Sequence, residues 1–177
     1  IVHNGIIENF VEIKQRLIAE YNVKFKSETD SEVIAHLIAA HMKNYSTLED
    51  AVYAATLEMR GAYALVVVSS KDPNKIVAVR KDAPLIAGIG KGENFIASDI
   101  PALMKHCKEI YLIENGEMVV VTADEIKIYD EERNPVQRDV FHVTWDADAA
   151  EKEGYSHFML KEIHEQPKAI SETLNRR

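Results

Sequence analysis

Cysteine is almost missing from this chain. Its 177 residues hold one, Cys107. No internal disulfide can form, and a thiolate metal site has no second ligand. Histidine does not fill the gap, because His36 and His41 lie five residues apart instead of the four of a helical metal pair. Long apolar runs are missing too. The longest, Ala62 to Val68, falls far short of the roughly 20 residues a spanning helix needs. No signal-peptide pattern opens the chain. Positive charge is scarce: 21 Lys and Arg stand against 29 Asp and Glu, a net charge of -8, and the basic residues are scattered. Nucleic acid and anionic membrane surfaces would repel such a chain, so neither is an expected partner. The lone thiol fits a reducing cytoplasm, the expected location. Gly88-Ile89-Gly90-Lys91-Gly92 lacks dinucleotide spacing and precedes a strand pattern instead of a helix. No cofactor and no metal are therefore expected.

What is present is ordinary for a soluble globular domain, with 46% apolar and 28% charged residues. Ile6, Phe10, Ile13 and Leu17 recur at helical spacing and predict an amphipathic helix from just after Gly5 to about Glu20. Ser27-Glu28-Thr29-Asp30-Ser31-Glu32 is rich in helix caps, and Val33, Ile34, Leu37, Ile38 and Met42 give the next helix its buried face. Thr47 and Asp50 have capping-box spacing at the head of a third helix that runs to about Met59. Beyond Arg60-Gly61 the texture changes. Ala62 to Ser70 is β-branched without alternation, as in a strand covered on both faces. Asp72-Pro73-Asn74 reads as a turn, and strands follow over 76–80, 85–89, 95–97, 110–113, 118–121, 125–129 and 136–143. Glu114-Asn115-Gly116-Glu117 is the strongest hairpin signal. A short helix is expected to end near Cys107. Residues 144–154 are acidic and small, like a linker, and the stretch to Arg177 shows helical spacing broken at Pro167.

Helices first and strands after predict an α+β layered domain with mostly antiparallel strands, two packed sheets and helices outside. The expected domain spans residues 1–143, with a linker and exit segment over 144–177.

Two places offer chemistry. Asn4-Gly5 is either a tight turn or a strand-to-helix turn; the helical period after it favours the second. There the glycine amide and the Asn4 side chain supply two donors at a helix N-terminus, as an oxyanion hole requires. Asp30 is either a helix cap or a carboxylate at a pocket edge, placed to pair with a substrate ammonium group. Cys107 has Lys105, His106 and Lys108 beside it, but adjacent helical residues do not face each other. It reads as a structural, half-buried thiol.

Longer strings carry more information. Val2-His3-Asn4-Gly5-Ile6-Ile7-Glu8-Asn9, residues 27–37 from Ser27 to Leu37, Arg60-Gly61-Ala62-Tyr63, residues 92–99 from Gly92 to Asp99, and Lys161-Glu162-Ile163-His164-Glu165-Gln166-Pro167 resemble the glutaminase domain of the glutamine–fructose-6-phosphate aminotransferase (isomerizing) family. This domain is of the N-terminal-nucleophile amidotransferase type. The resemblance implies a four-layer αββα sandwich, here incomplete at its N-terminus. It implies that an N-terminal cysteine thiolate attacks the side-chain amide of glutamine, with its own α-amino group as base. Asn4 and Gly5 would form the oxyanion hole, and Asp30 would hold the glutamine α-ammonium. The family's nucleophilic cysteine and its Arg-Trp-Ala-Thr-His loop precede the Val-His-Asn-Gly string and are not in this sequence. The chain is thus expected to be a fragment, inactive alone, with strands missing from its sheets. Fructose 6-phosphate would bind only in a sugar-isomerase half beyond Pro167, and the parent would be a homodimer. Another amidotransferase of the same fold, or a non-catalytic amino-acid-binding or interaction module, are the alternatives.

Overall fold

The unbroken apolar run after Arg60 becomes a strand whose centre is covered on both sides, and the layers form around it. The structure, a computed structural model, describes residues 1–144 and 153–175. Strand β1 (Val2–Ile7) is followed by helices α1 (Phe10–Tyr21), α2 (Asp30–His41) and α3 (Leu48–Thr56). Strands β2 (Gly61–Ser69), β3 (Asp72–Lys81), β4 (Ile86–Ile89), β5 (Asn94–Ala97), β6 (Glu109–Leu112), β7 (Met118–Val121), β8 (Ile126–Tyr129), β9 (Pro135–Val136) and β10 (Phe141–His142) come next, and α4 (Phe158–Leu174) closes the chain. One sheet has the order β1-β2-β3-β7-β8-β9 and the other β10-β6-β4-β5. All pairings between these strands are antiparallel.

Period-two alternation divides β2 between two cores. Tyr63, Leu65 and Val67 join Ile7, Val77, Val79 and Val120 beneath Ile13, Leu17, Ile34, Leu37 and Val52 of the three helices. Ala64 points the other way. With Ala78, Val119 and Val121 it packs against Ala87, Leu85 and Ile113 from the second sheet. The α+β expectation is met: helices, a six-stranded sheet and a four-stranded sheet form three successive layers. On the outer face of the second sheet, Leu103 and Cys107 close over Gly88, where a Cβ would lie 2.5 Å from the Cys107 Sγ.

Several local expectations give way. The helix predicted after Gly5 begins only at Phe10, because residues 2–7 stay extended against β2. Asn4-Gly5 is therefore neither a hairpin nor a strand-to-helix turn; it lies inside β1. Glu114-Asn115-Gly116-Glu117 is a turn but not a hairpin, since β6 and β7 belong to different sheets. Ile113, fully buried between the sheets, anchors one side, and Gly116 N–H donates to Arg80 O at 2.9 Å on the other. The turn thus bonds the end of β3 and carries the chain across the core. The turn placed at Asp72-Pro73-Asn74 falls at Ser70-Lys71, with a register irregularity at Val68/Ser69. The strand expected over 136–143 splits into β9 and β10, one in each sheet. Residues 101–106 form successive turns instead of a helix. Most of the expected linker lies outside the described residues.

The chain divides into two compact units, Ile1–Val143 and Thr144–Arg177. In the second unit α4 runs straight through Pro167. A helical proline forfeits one backbone bond, but its fixed φ suits the helix, and its neighbours over 161–174 are mostly good helix formers. No helix among the described residues is long and apolar enough to cross a membrane.

Candidate active site

The candidate residues gather along β1, which is the edge strand of its sheet. Its course depends on two glycines. Gly5 has φ +127° and Gly61 has φ +128°, values that side chains rarely adopt. A Cβ on Gly5 would sit 2.1 Å from Ala62 O, and one on Gly61 would sit 2.1 Å from Ile6 O. They flank the paired residues Ile6 and Ala62 from opposite strands and let the two backbones close up.

The real turn comes two residues after the strand, at Glu8-Asn9. Glu8 N–H donates to Arg60 O at 2.8 Å. Asn9, 9% exposed, then clamps the connection before β2: its Nδ2 donates to Glu58 O at 2.8 Å and its Oδ1 accepts from Arg60 N–H at 2.9 Å. These bonds end the ladder and aim α1.

Alternate residues of an antiparallel strand turn their N–H groups to opposite sides. Glu8 N–H faces β2. Ile7 N–H faces away and donates to Asp30 Oδ2 at 2.9 Å. By the same alternation the Gly5 N–H faces away from β2, at the outer side of the sheet formed by the described residues. The Asn4 side chain, exposed, stands on the face of the sheet opposite Ile7. The two donors proposed from sequence thus adjoin each other without any helix terminus behind them.

Asp30 does not cap α2. It is the first helical residue; Thr29 occupies the cap position and its side chain makes no capping bond. The expectation that Thr29, Asp30 or Ser31 caps the helix is not met, and Glu32 of the first turn bonds the preceding loop instead. The Glu32 carboxylate accepts from Lys26 N–H at 2.7 Å and Ser27 N–H at 2.6 Å. These bonds, the Ser27 hydroxyl first among them, hold its pKa down to about 2. Asp30, as the first helical residue, reaches across to β1 instead.

His3 completes the group. Its side chain is 2% exposed, and its Nδ1 lies 2.9 Å from Ser31 Oγ and 3.8 Å from Asp30 Oδ1. Sequence reading missed His3, Ser31, Asn9 and Glu32 as site-shaping residues. A readable signal existed for His3 alone, since it shares the alternation of Gly5 and Ile7 toward the helical layer.

Cys107 has no part in this. It is buried behind Gly88, and burial pushes its thiol pKa up, away from a reactive thiolate. Across from Gly5, Tyr63 is buried and its phenol is pushed up to about 12, so it forms a neutral wall. Among the described residues no group of three or more His, Cys, Asp or Glu could hold a metal ion.

An edge strand with a free amide beside a fixed carboxylate, on a helix–sheet–sheet frame, defines a class. The chain matches the glutamine amidotransferase domain family over residues 1–105, and it belongs to that family. Solved structures share the fold. Glutamine phosphoribosylpyrophosphate amidotransferase from B. subtilis, complexed with ADP and GMP, superposes with a TM-score of 0.62 at 23% identity, covering 76% of this chain and 29% of that one. A structure described as the allosteric regulatory enzyme of purine biosynthesis gives 0.61 at 24% identity, covering 75% and 28%.

Among curated proteins the similarity is closer. The glutamine–fructose-6-phosphate aminotransferase (isomerizing) of Clostridium tetani is 53% identical over all 177 residues, and that of Clostridium perfringens is 54% identical over the same length. The enzyme of that name from Methanothermobacter thermautotrophicus is 49% identical over 174 residues. The chain spans 29%, 28% and 29% of these relatives.

Proposed function

We propose that these residues form the glutamine-binding wall of an amidotransferase that makes glucosamine 6-phosphate from fructose 6-phosphate and glutamine. The observation that carries this reading is β1, where the Gly5 N–H faces away from β2 and, two residues on, the Ile7 N–H holds the Asp30 carboxylate of α2. Asp30 binds the α-ammonium of glutamine. Its hydrogen bond from Ile7 N–H fixes one oxygen and leaves the other for the ligand. Two donors, the Gly5 N–H and the Asn4 side-chain amide, stabilise the negative oxygen that forms when a thiolate adds to the side-chain carbonyl. The C–N bond then breaks, the nitrogen leaves as ammonia with a proton from the α-amino base, and water releases glutamate from the thioester.

The attacking thiolate belongs to an N-terminal cysteine that is not among these 177 residues, whose one cysteine is the buried Cys107. The chain alone is therefore without glutaminase activity. Fructose 6-phosphate binds a separate isomerase half of the parent enzyme. The parent works as a cytoplasmic homodimer.

The test is to place the N-terminal segment of the Clostridium perfringens relative ahead of Ile1 and measure glutamine hydrolysis. Asn4→Ala lowers kcat by roughly 100- to 1000-fold, the usual effect of losing one oxyanion donor. Asp30→Ala raises KM for glutamine. An Asp30→Ala variant with unchanged KM would remove the carboxylate from its assigned role.

A further inference from the structure

His3 is a buried titratable group that the mechanism above does not use. It adjoins Asn4 on β1, and its partner Ser31 adjoins Asp30 on α2. The two halves of the site, donor strand and carboxylate helix, lie 28 residues apart in sequence at this link. The side chain is 2% exposed, and its Nε2 is buried without a hydrogen-bond partner. All its bonding therefore passes through Nδ1, to Ser31 Oγ at 2.9 Å with Asp30 Oδ1 at 3.8 Å. A buried imidazole that leaves one nitrogen unsatisfied carries a cost, and the bond to Ser31 is what the position gains in return.

We propose that His3 is a positioning residue for glutamine: the His3–Ser31 hydrogen bond sets where Asp30 stands relative to the Gly5 amide. The role rests on the glutamine-site reading given above. Asp30 has a second tie, to Ile7 N–H, which fixes the carboxylate along the strand. The His3–Ser31 bond acts one residue further into the helix and fixes the approach of α2 to β1. Without it the polar link between the first turn of α2 and the strand falls to the Asp30 carboxylate, the group that must also bind the substrate.

Two variants isolate the bond. His3→Leu keeps an apolar side chain of similar reach and drops the polar atom. His3→Asn restores a polar atom near the Nδ1 position, and its amide can present either a donor or an acceptor to Ser31. Because Nε2 has no partner, the asparagine recovers all the bonding that the histidine makes. Ser31→Ala removes the same bond from the other side without altering the core beneath β1.

In the catalytically complete protein, His3→Leu and Ser31→Ala raise KM for glutamine roughly three- to tenfold, as loss of one hydrogen bond implies. Their kcat stays within about threefold, and His3→Asn returns KM to the wild-type range. In the 177-residue chain itself, hydrogen exchange over residues 27–33 is faster in His3→Leu and Ser31→Ala, and normal in His3→Asn. Unchanged KM and unchanged exchange in Ser31→Ala would overturn the proposal, even if His3→Leu failed to fold. A KM that asparagine does not rescue would make His3 a packing residue only. A parent protein with no glutaminase activity would instead remove the glutamine-site reading, and this role with it; the exchange measurement would still report whether the anchor exists.

Discussion

Replacing Gly5 with alanine tests the geometry of the edge strand directly. The added Cβ meets Ala62 O at 2.1 Å and Tyr63 Cα at 2.7 Å, both backbone atoms. No rotamer change relieves a clash between two main chains, so β1 and β2 must separate or Gly5 must abandon φ +127°. Forcing an ordinary residue into such a conformation costs about 1–3 kcal/mol, and overpacking a closed contact adds about 1–3 kcal/mol. The sum is about 2–6 kcal/mol. In a domain of this size each 1 kcal/mol lowers Tm by about 2–4 °C, so a fall of roughly 10 °C is expected. Urea unfolding followed by circular dichroism reads the change, with Gly92→Ala as control. Gly92 also has a positive φ, +73°, but nothing lies within 4 Å of its built Cβ. That control carries only the left-handed penalty of about 1–2 kcal/mol. If Gly5→Ala cost no more than Gly92→Ala, the close approach of β1 to β2 would be wrong, and with it the outward aim of the Gly5 amide.

Asn9→Ala leaves Glu58 O and Arg60 N–H without the bonds that now join the two ends of the α1–α3 excursion. An unsatisfied buried group costs about 1–3 kcal/mol, so a loss of about 2–4 kcal/mol in urea unfolding is expected, and Asn9→Asp, which keeps the acceptor, loses less. Glu32 gives a pH signature. Its folded pKa of about 2 lies below its ordinary 4.5, so its contribution is complete above about pH 4.5 and is lost as pH falls toward 2. Glu32→Gln flattens the acid side of the stability profile across that window; a profile parallel to wild type between pH 4.5 and 2 would show the loop bonds to be idle.

Where local chemistry and tertiary position agree, the sequence was legible. Thr47 caps α3, accepting from Asp50 N–H at 3.2 Å, as the Thr47/Asp50 spacing implied. The unalternating run in β2 is covered on both faces only at its centre, Tyr63 to Val67, where two layers meet, while Ala62 and Val68 lie exposed at its ends. The errors share one cause. Asn4-Gly5, Glu114-Asn115-Gly116-Glu117 and Asp72-Pro73-Asn74 are strong short-range turn signals, and at each the outcome was decided by a distant partner. Ala64 and Tyr63 hold Asn4-Gly5 extended. Arg80 and Leu85 bond the Ile113–Glu117 connection and carry it between sheets. Local propensity has no access to such partners, and turn residues tolerate several conformations.

The extended course of Gly5 replaces the physical basis of the proposed oxyanion role. At a helix N-terminus, the amide would owe its anion affinity to a dipole shared by several free N–H groups. On an extended strand it would owe that affinity to its own direction, since the β1–β2 ladder uses every second amide of β1 and turns the alternate ones away from β2. Direction then comes from the strand, and strands aim a donor well only if their register cannot slip. The paired close contacts of Gly5 and Gly61 supply that lock, because a shift by one residue would bring Ile6 or Ala62, each with a Cβ, into space that only hydrogen fits. Asp30 depends on the same register through Ile7 N–H. The Gly5 amide and the Asp30 carboxylate are thus spaced by one covalent strand and one locked ladder, and any substitution that lets β1 slide must displace both together; under the proposed function, glutamine binding and oxyanion stabilisation would then fall together.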